Sequence, residues 1–275
     1  MLGLPADKLV HAIGIAATNA SGLITTFGSM SKPLNIGRAG ASGLQSALLA
    51  ELGYTSNEDI LGTGRFLEMF DDAPRHDVLI DGLGEKWLIL ENGYKPYPCG
   101  FVAHATIDAV RDLRIKAGDG VTLRDLRLTV SPESMQLMGR TDPTNELEAK
   151  FSLLYDAAVA WVDGNVSPAA FEDAAVQDPR YRAVMDMTRI EVGDYVAQHE
   201  AFAEADLGDG QTISIHVEHA RGTPERPMSD DDLRLKFDSG LAIGGFEGAD
   251  ELANLVLTGK AEPIARIMDY LVGEQ

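Results

Sequence analysis

The sequence predicts an α+β protein: a mostly helical domain, discontinuous along the chain, with an α+β lid domain inserted into it. Three observations carry this expectation. Apolar residues recur at helix spacing before residue 76 and again after residue 223. Between them the pattern switches, and alternating, strand-like runs sit among helices. A break at Asp71-Asp72-Ala73-Pro74-Arg75 and the helix opening at Ser229-Asp230-Asp231-Asp232 mark the changes of character. The expected domains are 1–76 and 223–275 for the two helical segments and 77–222 for the lid.

The elements follow in order. Residues 5–20 read as an opening helix with Ala6, Leu9, Val10, Ile13 and Ala17 on its apolar side, and the small residues Ala16, Ala17, Ala20, Ser21 and Gly22 allow close helix approach. A second helix over 39–52 places Leu44, Ala47, Leu48 and Leu52 on a stripe facing a core, with Pro33 an early residue of that helix. Ser56 or Asn57 can cap a short helix with Glu58 and Asp59 in its first turn, and 64–70 gives another. Residues 87–90 suit a buried strand and 103–116 a helix. Residues 121–130 alternate as a half-buried strand, and 145–162 form a long helix. Shorter helices at 168–175 and 179–187 precede strands at 190–198 and 212–217, the latter led by the turn residues Gly208-Asp209-Gly210. Ser229 with Asp232 opens a helix that continues through 237; 249–257 and 263–271 complete the helical return.

Composition excludes several classes. The 275 residues are 45% hydrophobic and 24% charged, with a formal net charge of -20. Such a surface repels nucleic acid and anionic membrane, which require clustered Lys and Arg. Cys99 is the only cysteine, so neither an internal disulfide framework nor a multi-cysteine metal site is available. No apolar run is long enough to span a bilayer, and residues 1–8 lack a basic region followed by an apolar core, so a cytoplasmic protein is expected. Gly-rich phosphate loops, CxxC pairs, HExxH and GxSxG are absent from the sequence. His216 and His219 are three apart in a strand-like run, which puts them on opposite faces.

The segment Gly28-Ser29-Met30-Ser31-Lys32-Pro33-Leu34-Asn35-Ile36-Gly37-Arg38-Ala39 places Lys32 at the mouth of a helix, beside unpaired amides. Taken alone, it reads as a solvated lysine in an interhelix turn; with an anion bound there, amides and ammonium would converge on it. His104 and Asp108 are four apart, so on a helix they share a face and the carboxylate could orient the imidazole; a capping histidine in a structural turn is the alternative. Cys99 reads as a buried small residue.

These blocks resemble the MmgE/PrpD family, which holds 2-methylcitrate dehydratase, cis-aconitate decarboxylase and some epimerases. The resemblance runs through Ala12–Thr18, Phe27–Leu34 with Gly37-Arg38-Ala39, and Lys95-Pro96-Tyr97-Pro98-Cys99 with His104 and Ile107-Asp108-Ala109. It continues through 148–153 and Arg221-Gly222-Thr223-Pro224-Glu225-Arg226-Pro227. It implies the same helical domain with an inserted lid. It also implies that Lys32, in a segment similar to the family's (T/S)KPL motif, binds substrate carboxylate, with Arg38, Lys95 and Asn35 as further binding residues. His104 would be the second catalytic group. Asn35 stands where many members carry His, so only hydrogen bonding remains there. Some decarboxylases of the family carry another His near the Pro-Cys pair, a zone held here by Gly100 and Phe101, and a tyrosine in the stretch that is Met135–Met138 here.

The expected function is a cofactor-independent lyase, dehydrating or hydrating a small, 2-methylcitrate-like polycarboxylate by proton abstraction next to a carboxylate. The acidic surface then demands a local positive pocket. An epimerase or isomerase of a small dicarboxylate, or an inactive or split-subunit member, is the alternative. The family's chains carry a long helical half before the block that begins here at Ala12, which leaves an apolar face to be covered by a homodimer partner or by a subunit supplying that half.

Overall fold

Two helices open the chain, α1 (Ala6–Ala17) and α2 (Ser31–Glu51), and they pack on each other. The computed structural model describes residues 2–62, 65–246 and 249–257; the helix expected over 263–271, and Gly64 at the start of the one expected over 64–70, lie outside these. Helix α2 begins at Ser31, so the whole Ser31-Lys32-Pro33-Leu34 motif forms its first turn. Pro33 fits there because the first helical amides need no internal acceptor. The segment after α2 turns back onto α1, where the Ser56 amide donates to His11 Nδ1 (3.2 Å). Ser56 and Asn57 head turns rather than the expected short helix, and 67–69 is a single 3-10 turn.

The stripe Leu44, Leu48 and Leu52 does not face a core; all three are exposed, Leu52 at 79%. Helix α2 packs chiefly on α1, by a side that buries Ser46 and Ala50. The strand expected at 87–90 is also corrected: Leu88–Glu91 is a 3-10 turn whose apolar side chains are exposed. Strand-like composition makes a strand only when a neighbouring edge offers hydrogen bonds, and none pairs here.

The core lies in the second half. Helix α3 (His104–Ala117) leads to β1 (Leu123–Val130). A helical crossover follows: α4 (Pro132–Met138), α5 (Glu146–Ala149), α6 (Leu153–Asp163), α7 (Asp173–Val176) and α8 (Pro179–Asp186). Strand β2 (Thr188–Val192), the hairpin β3 (Ala201–Leu207) and β4 (Thr212–Val217), and helices α9 (Asp230–Gly244) and α10 (Ala249–Leu257) complete the described chain. The sheet order is β2-β1-β3-β4; β1 and β2 are parallel, the other pairs antiparallel. Helix α3 packs on β3 and β4 and α6 packs on α3, burying Ile107, Val110, Leu113, Leu126, Leu128 and Val159.

Side-chain caps set the boundaries. Ser152, fully buried, accepts from the Tyr155 amide (3.2 Å) and splits the helix expected over 145–162 into α5 and α6. Ser229 and Asp232 form a full capping box on α9. Among the described residues no helix is long and apolar enough to cross a membrane.

Candidate functional site

Residues 94–101 form a strap stiffened by Pro96 and Pro98 and held to the rest of the chain at several points. The Tyr94 amide donates to the Gly222 carbonyl (2.7 Å). Gly222 has φ +95°, and a Cβ there would fall 1.9 Å from the Tyr94 oxygen, so only glycine allows the two backbones to meet. Tyr97, buried, donates its hydroxyl to Asp108 Oδ1 (2.5 Å) and accepts from Arg111 (2.7 Å). At the far end a Cβ on Gly100 would fall 2.3 Å from Met138 Sδ, so the thioether of α4 fills the space a side chain would need.

His104 is the first residue of α3, 0% exposed, its ring edge-on to Tyr97 (centroids 5.1 Å) and tilted against Phe101 (4.8 Å). Neither ring nitrogen makes a hydrogen bond of ordinary geometry. Burial pulls its pKa down to about 3, helped by the charges of Lys95 and Lys236 and opposed by the backbone of Cys99 and Tyr97. The imidazole is therefore neutral at physiological pH.

The expected His104–Asp108 pairing does not form. Asp108 sits one helical turn on and accepts instead from Tyr97, from the Arg221 amide (2.6 Å) and from Arg226 (3.3 Å). Those partners come from the strap and from the 220–226 turn, and they use the carboxylate's lone pairs.

Lys95 donates to the Cys99 carbonyl (3.2 Å). Its pKa is lowered, first by burial and then by the neighbouring charges of Lys32 and Lys236, against the opposing effect of Cys99. Lys32, from α2, is near enough for its charge to act on Lys95, and the charge of Lys95 in turn acts on His104. Lys236 of α9 joins them, donating to the Lys95 carbonyl (2.6 Å) across 141 residues of sequence. Sequence reasoning passed over Lys236 because a lysine in an amphipathic helix reads as solvated surface. Only the helix's docking on the strap gives it meaning.

Asn35 and Arg38 fall elsewhere. With Asn19, Ser21 and Ser42 they line a crevice of about 310 Å³ between α1 and α2, and no hydrogen bond or ion pair joins them to Lys95 or His104. Arg38, six positions beyond Lys32, lies about 120° around the helix from it. Of two further cavities, only the second is lined by a residue of this cluster, Lys236. One of about 580 Å³ lies between Phe27-Gly28 and residues 135–142; another of about 300 Å³ lies between Pro96–Pro98, Asn165–Pro168 and α9.

Beneath the strap, Cys99 faces Asp156 of α6; both are buried, and burial pushes both pKa values well up. His216 stacks on Phe202 (centroids 4.1 Å) and bonds Glu200 (2.6 Å). Among the described residues no cluster of three His, Cys, Asp or Glu could hold a metal ion. Charged lysines thus lie around an imidazole that is neutral and enclosed.

The chain belongs to the MmgE/PrpD family: the MmgE/PrpD N-terminal domain matches residues 1–75 and the MmgE/PrpD C-terminal domain matches residues 97–257. Among curated relatives, it is 26% identical over 250 residues to cis-aconitate decarboxylase of Homo sapiens, covering 86% of this chain and 51% of that protein. It is 27% identical over 257 residues to the Mus musculus enzyme, with the same shares. The cis-aconitate decarboxylase of Aspergillus terreus is 26% identical over 268 residues, 86% of this chain and 53% of its own. The chain spans about half the length of the curated relatives it matches.

Proposed function

We propose that this chain acts as a lyase on a small polycarboxylate, removing a proton next to a carboxylate in the dehydration or hydration of a 2-methylcitrate-like acid. The observation that supports this reading is Lys95, which feels the charge of Lys32 and itself acts on a neutral His104. The two ammoniums hold the carboxylates, and their neutralisation by the bound acid raises the proton affinity of His104, which takes the proton. The ring is enclosed, so this step requires the strap to lift from α3. Asn35 and Arg38 act from the α1–α2 crevice as outer binding residues. The domain boundaries at 76 and 222 make the sheet-bearing half the lid over a helical base.

Dehydration is favoured over decarboxylation by the contact of Gly100 with Met138, an apolar plug in the zone where the resemblance implies an imidazole and a tyrosine in decarboxylases. In turnover of 2-methylcitrate or cis-aconitate, Lys32→Ala should lower kcat/KM about ten-fold or more, the loss of one charged hydrogen bond; unchanged kinetics would remove Lys32 from the mechanism. Exchange of substrate hydrogen with D₂O without net elimination would mark the epimerase instead. A second reading rests on the exposed apolar face of α2: the active form is a homodimer, or a complex with a subunit supplying further helices.

A further inference from the structure

We propose that Lys236 is a third carboxylate-binding residue of this site, suiting it to acids with three carboxylates rather than two. The inference rests on the reading of the site as a polycarboxylate pocket. Its ground is placement. Lys32 enters from the first turn of α2, Lys95 from the strap and Lys236 from α9, and the last two are tied through the Lys95 carbonyl (2.6 Å). The charges of both Lys32 and Lys236 act on Lys95. The chain carries 43 Asp and Glu against 23 Lys and Arg. Among the described residues, nevertheless, none of these three lysines makes an ion pair, while Arg221 and Asp232 nearby are paired with each other.

An acidic protein that leaves three neighbouring ammoniums without a carboxylate has left room for one from outside. Lys236 is exposed and spends one of its three N–H groups on the Lys95 carbonyl. Lys236 also lines the cavity of about 300 Å³ between Pro96–Pro98 and α9, the size of a small-ligand pocket, while Lys32 and Lys95 stand outside its lining.

A purely structural pin would behave differently. If Lys236 only tethered the strap, its loss would weaken every ligand of the site alike. Binding of tricarballylate (three carboxylates) and glutarate (two) to the intact chain, followed by calorimetry at low salt, separates the two roles. Lys236→Met should weaken tricarballylate about ten-fold and glutarate less than about three-fold, and Lys236→Arg should stay within about two-fold of the parent. Lys236→Gln serves in its place if the Met variant fails to fold. Lys32→Met should weaken both acids. Equal losses for both acids, or none, in the Lys236 variant would overturn the proposal while the Lys32 variant still upholds the pocket. Failure of the parent chain to bind either acid would overturn both.

Discussion

A buried imidazole without a hydrogen-bond partner ties stability to pH in a definite direction. The ordinary histidine value is 6.5 and the folded value of His104 is about 3, so between them the unfolded chain binds a proton that the fold refuses. The contribution of His104 to stability is therefore greatest above about pH 6.5 and is lost as pH falls toward 3, by up to about 1.4 kcal/mol per pH unit. Urea unfolding at pH 7.5 and pH 5 should show a smaller loss of stability on acidification for His104→Gln than for the parent chain. Parallel losses would mean that the ring is not held neutral. The i,i+4 spacing of His104 and Asp108 made a paired reading natural from sequence. What claimed Asp108 was a backbone amide 113 residues away, at Arg221, which local spacing cannot reveal.

At the level of elements, what the sequence made legible depended on who the neighbours were. Helix α3, strands β1 and β4 and the cap of α9 were readable because their patterns and partners are local. Strand β3 was not. It is central, pairing with β1 and β4, yet its buried positions are Ala201, Ala203, Ala205 and Leu207, a pattern too weakly apolar to signal a strand. The small side chains are needed because α3 lies directly on β3 and β4. Ala203→Leu should thus destabilise the fold by about 1–3 kcal/mol through overpacking, despite its gain in hydrophobicity; a chemical-denaturation midpoint at or above the parent's would show slack between α3 and the sheet. Conversely, residues 87–90 looked like a strand and α2 looked core-facing, because composition records what a segment could bury, not whether a partner stands opposite. Of the candidate site, the motifs single out Lys32, Lys95 and His104 only as candidates, while Lys236 emerges only when α9 folds back on the strap.

Over the whole molecule, the packed core sits in the sheet-bearing half, while α1 and α2 form a two-helix layer with Leu44, Leu48 and Leu52 open on one side. A layer of this kind is stable when another apolar surface meets it. Sedimentation should find the chain self-associated at micromolar concentration, and the pair Leu44→Glu and Leu48→Glu should shift it toward monomer by at least about ten-fold in dissociation constant; a parent chain already monomeric would contradict the dimer proposal. The meeting of Tyr94 with Gly222 has a consequence of its own at this scale. It is a buckle without slack, fastening the segment that carries an ammonium and touches an imidazole to a turn more than a hundred residues downstream. A redesign of this scaffold for a different acid should leave the buckle shut and vary Gln136 and Thr141, exposed on the wall of the cavity beside Phe27-Gly28.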